Sequence, residues 1–299
     1  MELWIPVTIA AAIFQTLRFM LQKSLSAAAL SATGATFARF LYSAPLVLLG
    51  LAFYLWVSGV TVPETSLRFW GFAALGGLTQ ILATVLVVLL FRERNFAVGI
   101  TFKKTEVMQT ALVGLVLLGE GISWGGFAAI LIGLVAVLIL SKTPHVEGAW
   151  WRHLGTRATV LGLSSGLLFA VSGVTYRGAS LELAADAPLR AGATLAAVVT
   201  MQMLAMAVWL VWREPGQIAA VWRARSVAVW VGLTSLGGSF CWFLAFTLQN
   251  AAYVNALGQV ELIFSLLASV LFFREKISGR ELAGMALLGL SILVLVLVI

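Results

Sequence analysis

The chain has 299 residues, 61% of them hydrophobic and only 10% charged, with a formal net charge of +7. Soluble domains run nearer roughly 45–50% apolar and about 25% charged, so this composition is that of a polytopic helical membrane protein, with almost nothing left over for a soluble domain. The basic residues stand in short clusters between apolar runs, which argues against nucleic acid and encodes orientation in a bilayer instead.

The first apolar run, 3–21, starts at "MELW", acidic rather than basic. The "SLSAAALSA" behind it resembles a signal-peptide cleavage site, but Gln15 and Arg18 interrupt the run, so it is expected to be a retained first helix. Further runs follow at 33–57, 69–91, 96–118 and 123–141. The longest polar connection, "SKTPHVEGAWWRHLGTR", comes next and holds both histidines, His145 and His153. Beyond it lie 157–177, 189–212, 227–248, 251–272 and 281–299. Each run meets the length a helix needs to cross the hydrocarbon core, and the short connections favour antiparallel neighbours. The expected architecture is all-α, with ten transmembrane helices as two five-helix halves, 1–141 and 157–299, joined by 142–156.

The halves resemble each other. Shifting Phe96–Leu140 by 155 positions lays Ala97 on Ala252, Glu106 on Glu261, Leu112 on Leu267, Glu120 on Glu275, Ile122 on Ile277 and Ser123 on Ser278. The third and eighth spans repeat "GFAALGG" (Gly71–Gly77) as "GLTSLGG" (Gly232–Gly238). Basic residues follow the odd spans: Lys23, Arg92 and Arg94, Lys142, Arg152 and Arg157, then Arg213, Arg223 and Arg225, then Arg274, Lys276 and Arg280. The other side collects little beyond Arg68, Arg177 and Arg190. The basic side is therefore cytoplasmic, and both termini face outward. Charged "FRERN" after the third span has neutral "LQNAA" as its counterpart, while "FFREK" after the ninth answers "LLGEG" after the fourth. An odd number of spans inverts the second copy, so equivalent loops swap sides and charge. This is the pattern of inverted-topology repeats.

Polar groups at depth are the candidate site. Glu106 lies about 15 Å into a span entered near Phe96, and Glu261 is equally deep from the opposite face. A carboxyl there is costly and should face a cavity or a partner. Lys103, one turn before Glu106, either neutralises it structurally or joins it in binding; Lys104 could snorkel to the headgroups. Glu261 has Asn255 and Gln259 as polar neighbours and no basic residue within a turn. Gln15, Gln80 and Gln109 mark helix contacts or a wet cavity. Arg18 and Arg39 suit headgroup anchors or inter-helix ties. Trp4, Trp56, Trp70, Trp124, Trp209 and Trp230 suit an interfacial belt, whereas Trp242 lies inside its span, facing lipid or a substrate cavity. The pairs Gly76–Gly77 and Gly237–Gly238 allow close approach or bending. Cys241 is the only cysteine, both histidines lie in one polar loop and no HExxH occurs, so neither a metal cluster nor an intramembrane enzyme is expected.

The five-plus-five arrangement, with fourth and ninth spans ending in "LVLLGEGIS" and "VLFFREKIS" before a glycine-rich span, resembles the drug/metabolite transporter superfamily, in its ten-span EamA-type branch. Where many relatives carry proline midway along those spans, this chain has Glu106 and Glu261. The resemblance implies a bacterial inner-membrane carrier, often an exporter of amino acids, aromatic ones among them, and either a monomer or a weak homodimer. It further implies a cavity between the halves lined by Gln15, Gln80, Lys103, Glu106, Gln109, Tyr176, Trp242, Asn255, Gln259 and Glu261. The expected cargo is an amino acid, with Lys103 meeting the carboxylate, a glutamate the α-ammonium and aromatic residues the side chain. A nucleoside, sugar phosphate, cationic drug or polyamine is the alternative. No cofactor is expected; proton coupling through a midplane glutamate, exchange and facilitated diffusion all stay open. Inverted repeats with midplane charges argue against a channel or scaffold.

Overall fold

A computed structural model describes residues 2–27, 30–90, 103–140, 157–264 and 279–298. Among them stand eleven helices and no strand: α1 (Trp4–Ala27), α2 (Ala32–Ser58), α3 (Leu67–Leu90), α4 (Glu106–Leu118), α5 (Trp124–Leu140), α6 (Arg157–Leu181), α7 (Ala187–Arg213), α8 (Gln217–Arg223), α9 (Arg225–Leu248), α10 (Ala251–Gly258) and α11 (Gly279–Val298). Helices α2, α3, α6, α7 and α9 run 24 to 27 residues and are apolar enough to cross a bilayer. The protein is an all-α polytopic membrane protein. Arg92, Arg94, the 142–156 connection with its histidines, Arg274, Glu275, Lys276 and Ser278 lie outside the described residues.

Helix ends follow local chemistry. Ser31 caps α2 by accepting from the Gly34 N–H, and Gly59 closes it in the left-handed region at φ 66°. Asp186 caps α7, with Pro188 in the first turn. The sequence showed no sign of α8, which is set off from α7 by Gly216 at φ 92°. Its exposed Trp222 sits among Arg213, Arg223 and Arg225, the composition of an interfacial segment.

The helices sort into two units that each draw on both sequence halves. The first comprises Met1–Ile81 and Thr175–Gln249. Within it α1 packs along α9, and α2 lies against both α7 and α9. Phe14 of α1 fills the notch left by Gly237 and Gly238, where an added Cβ would come within 2.9 and 3.1 Å of it. Gly76 plays the same part for α6: a Cβ there would stand 2.5 Å from Thr175 Oγ1 and 2.7 Å from the Tyr176 ring. Both glycine pairs thus admit a neighbour's side chain. A cavity of about 460 Å³ lies among α2, α7 and α9, walled by apolar groups such as Leu46, Leu51, Leu195 and Phe240.

The second unit comprises Leu82–Val174 and Asn250–Ile299. Here α5 packs along α11 and α4 against α10. Ala136, Val137 and Leu288 form a buried seam. Ser291 Oγ donates to the Ala129 carbonyl at 2.8 Å, and Gly125 leaves room for Val298. Tyr253 occupies a recess at Gly126, where its hydroxyl accepts from the Ser123 N–H at 2.8 Å. The pairings α2 with α7, α4 with α10 and α5 with α11 each join a span to its counterpart in the other sequence half. Self-pairing of that kind is what two-fold related repeats produce.

Candidate functional site

The fourth and ninth spans are not continuous helices. Lys104 and Thr105 form a turn immediately before Glu106 opens α4, and Gln259 and Val260 form a turn immediately before Glu261 opens the next helical turn. The hydrogen bonds repeat at the offset of 155: Met108 N–H to Thr105 O at 3.0 Å corresponds to Ile263 N–H to Val260 O at 2.9 Å. Likewise Gln109 N–H to Thr105 O at 3.1 Å corresponds to Phe264 N–H to Val260 O at 3.2 Å. Each break is one tight i→i−3 turn with a glutamate just beyond it. Short 3₁₀ stretches within helices recur at functional hinges, and an acidic residue in the first turn is favoured by the exposed N–H groups there.

In the second unit the break carries buried charge. Lys103 Nζ meets Glu106 Oε2 at 2.8 Å, both side chains being some seven-eighths buried, and the ammonium also lies 4.8 Å from the centre of the Phe169 ring. Lys104 does not reach toward headgroups as the sequence suggested. It is 7% exposed and stands within electrostatic range of Glu261 and Glu106. Gln109 donates to Thr105 Oγ1 at 3.3 Å and packs so close to Gly166 that a Cβ there would come within 2.9 Å of its Oε1. Asn255 Nδ2 donates to Thr110 Oγ1 at 2.9 Å, joining α10 to α4, and Gln259 Nε2 donates to the Asn255 carbonyl at 3.2 Å. Among the described residues, the Oε1 atoms of Gln109 and Gln259 are buried and find no hydrogen-bond donor.

The first unit gathers amides and aromatic rings. Trp242 Nε1 donates to Gln15 Oε1 at 3.1 Å, and its ring stacks on Phe246 at 5.7 Å. Gln202, 2% exposed, donates through Nε2 to Gln80 Oε1 at 2.9 Å and to the Gly77 carbonyl at 3.0 Å. The Tyr176 hydroxyl donates to the Gly76 carbonyl at 3.0 Å while its ring stacks on Phe243 at 4.3 Å. Arg39 is buried and donates to Ser239 Oγ at 3.0 Å.

Of the sequence candidates, then, Lys103, Glu106, Gln109, Asn255, Gln259 and Glu261 belong to the second unit, and Gln15, Gln80, Tyr176 and Trp242 to the first. Three further expectations are corrected. Trp4 is buried, its indole donating to Glu2, and is no part of a belt, whereas Trp56 and Trp124 are exposed as expected. Arg18 and Arg39 are too buried to anchor headgroups, while the other reading, an inter-helix tie, is met by Arg39, which joins α2 to Ser239 of α9. The fourth and ninth spans break where continuous helices were expected. Sequence reasoning missed Gln202, a lone amide deep in the seventh span, although its isolation was a signal as strong as that of Gln80. It also missed Arg177, whose Nη1 donates to the carbonyls of Phe246, Thr247 and Gln249 at 2.7, 3.4 and 2.9 Å and so closes the end of α9.

Among curated proteins nothing matches this chain. Among solved structures, 29 chains match. One, described only as the crystal structure of a protein, has a TM-score of 0.70 at 16% identity and covers 99% of this chain and 98% of its own length. At that identity the likeness speaks for the fold alone. Residues 156–297, just under half of the chain, match the EamA-like transporter family.

Proposed function

We propose that the chain is a secondary transporter of a bacterial inner membrane that exports amino acids by alternating access, with a broad specificity that includes large apolar and aromatic ones. The observation that supports this most is the duplicated helix break, each copy followed at once by a glutamate. Discontinuous helices at mid-bilayer are where carriers build substrate and ion positions, because the interrupted backbone leaves polar groups available and bends at little cost. A carboxylate beside such a break suits an ammonium or a proton. Buried amide oxygens that accept nothing, on Gln109 and Gln259, suit a further donor of the cargo.

The test is uptake by the purified protein in proteoliposomes, with a panel of radiolabelled amino acids, a nucleoside, a sugar phosphate and a polyamine. Saturable uptake of several amino acids, competed by aromatic ones, is the expected outcome. Saturable uptake of another class with none of amino acids would overturn the cargo, and conductance without saturation would overturn the carrier mechanism.

A further inference from the structure

We infer that Arg39 is the receptor for an anionic group of the cargo, so that the cargo carries a carboxylate and is not a simple amine or polyamine. This rests on the carrier reading above and deepens it. Arg39 lies two turns into α2, about 10 Å along the helix from Ala32. Its side chain is 5% exposed. A guanidinium is always charged and presents five N–H donors. Here it donates to one neutral hydroxyl, Ser239 Oγ at 3.0 Å, and lies 5.2 Å from the centre of the Phe40 ring, while its Nε–H finds no acceptor. Among the described residues no carboxylate pairs with it. Lys103 is in the opposite condition, already neutralised by Glu106, so the carboxylate role expected of it passes to Arg39. A buried charge left in this state is costly unless something supplies the missing acceptor.

The internal repeat argues against a scaffold role. Helices α2 and α7 are both 27 residues long and are offset by 155 throughout, which lays Arg39 on Thr194. The register that lays Gly76–Gly77 on Gly237–Gly238 lays Leu78 on Ser239. Neither partner of this tie is repeated in the other copy. Its surroundings within the first unit suit a zwitterion with an aromatic body. Ser239 is one turn from Phe243, which stacks on Tyr176. Among the described residues the buried Oε1 of Gln202 finds no donor, a position an ammonium would satisfy. A carboxylate would engage the guanidinium in the bidentate geometry that fits both groups.

The experiment measures competition against radiolabelled phenylalanine, or direct binding, on wild-type protein in lipid nanodiscs. The competitors are 3-phenylpropionate, phenylalaninamide, phenethylamine and a sugar phosphate. Phenylalanine is expected to bind roughly tenfold to a hundredfold more tightly than its amide, the range of a charge-assisted hydrogen bond. Arg39→Gln is expected to erase that preference and Arg39→Lys to keep part of it. Equal binding of acid and amide by the wild type overturns the assignment without any variant, and so does a preference that survives in Arg39→Gln. Arg39-dependent binding of 3-phenylpropionate or the sugar phosphate, with none of phenylalanine, upholds the anion receptor while the amino-acid cargo falls. Transport of phenylalanine and its amide alike does the reverse.

Discussion

Replacing Glu106 alone should harm the protein more than replacing both members of its ion pair. The two charges are 2.8 Å apart with side chains only 14% and 13% exposed, so solvent screens them little. At an effective dielectric of about 20 their attraction is about 6 kcal/mol, most of which is offset by the cost of burying them. Glu106→Gln removes the carboxylate but leaves the Lys103 ammonium buried, with the Phe169 ring still 4.8 Å away. Breaking one side of a buried pair costs about 3–5 kcal/mol, whereas exchanging both sides for apolar or neutral groups is often neutral. In a chain of this size each kcal/mol moves the melting temperature by about 2–4 °C, so the single variant should fall by roughly 6 °C or more. Thermal unfolding of detergent-purified wild type, Lys103→Met, Glu106→Gln and the double variant closes a double-mutant cycle. The double variant should recover most of the loss. If it loses as much as the two singles together, or if Glu106→Gln costs nothing, the pair does not have the energetics argued here. Uptake by the same double variant separates the two roles of the pair: stability restored without transport means that the cargo uses these charges.

Gly76→Ala should cost about 1–3 kcal/mol by forcing α6 away from α3, while Gly71→Ala, whose Cβ would meet nothing within 4 Å, should leave the melting temperature unchanged. Arg177→Met should raise amide hydrogen exchange at the end of α9, because three carbonyls lose their donor; unaltered exchange at residues 246–249 would show that the cap is dispensable. Glu261→Gln, followed by counterflow in liposomes, should change the pH dependence of transport if that residue carries a proton, and identical counterflow at every pH would eliminate the role. Reporter fusions at both termini should be active only with a periplasmic reporter; cytoplasmic activity at either end would refute the orientation drawn from Arg92, Arg213 and Arg274.

The spans were legible because insertion in a bilayer is decided by the local density of apolar residues, and α2, α3, α6, α7 and α9 begin and end within a few residues of the runs that mark them. The glycine pairs were legible as close-approach points, though not what approaches them. The break before Glu106 was not, because Lys104 and Thr105 leave no mark in a hydropathy pattern; before Glu261 the one local mark is Gly258, the last residue of α10, ahead of Gln259 and Val260. Helix α8 escaped for the related reason that seven residues are too few to show a period.

By itself, then, the sequence determined the number and placing of apolar runs, the side on which basic residues gather and the duplication that sets Glu106 opposite Glu261. These are properties of composition along a line, and a bilayer reads them one segment at a time. Tertiary structure decided which polar groups meet: Gln202 with Gln80, Trp242 with Gln15, Lys103 with Glu106, and Arg39 with the hydroxyl of Ser239. A polar side chain in an apolar interior is defined by its partner, and partners here come from helices far apart in the chain.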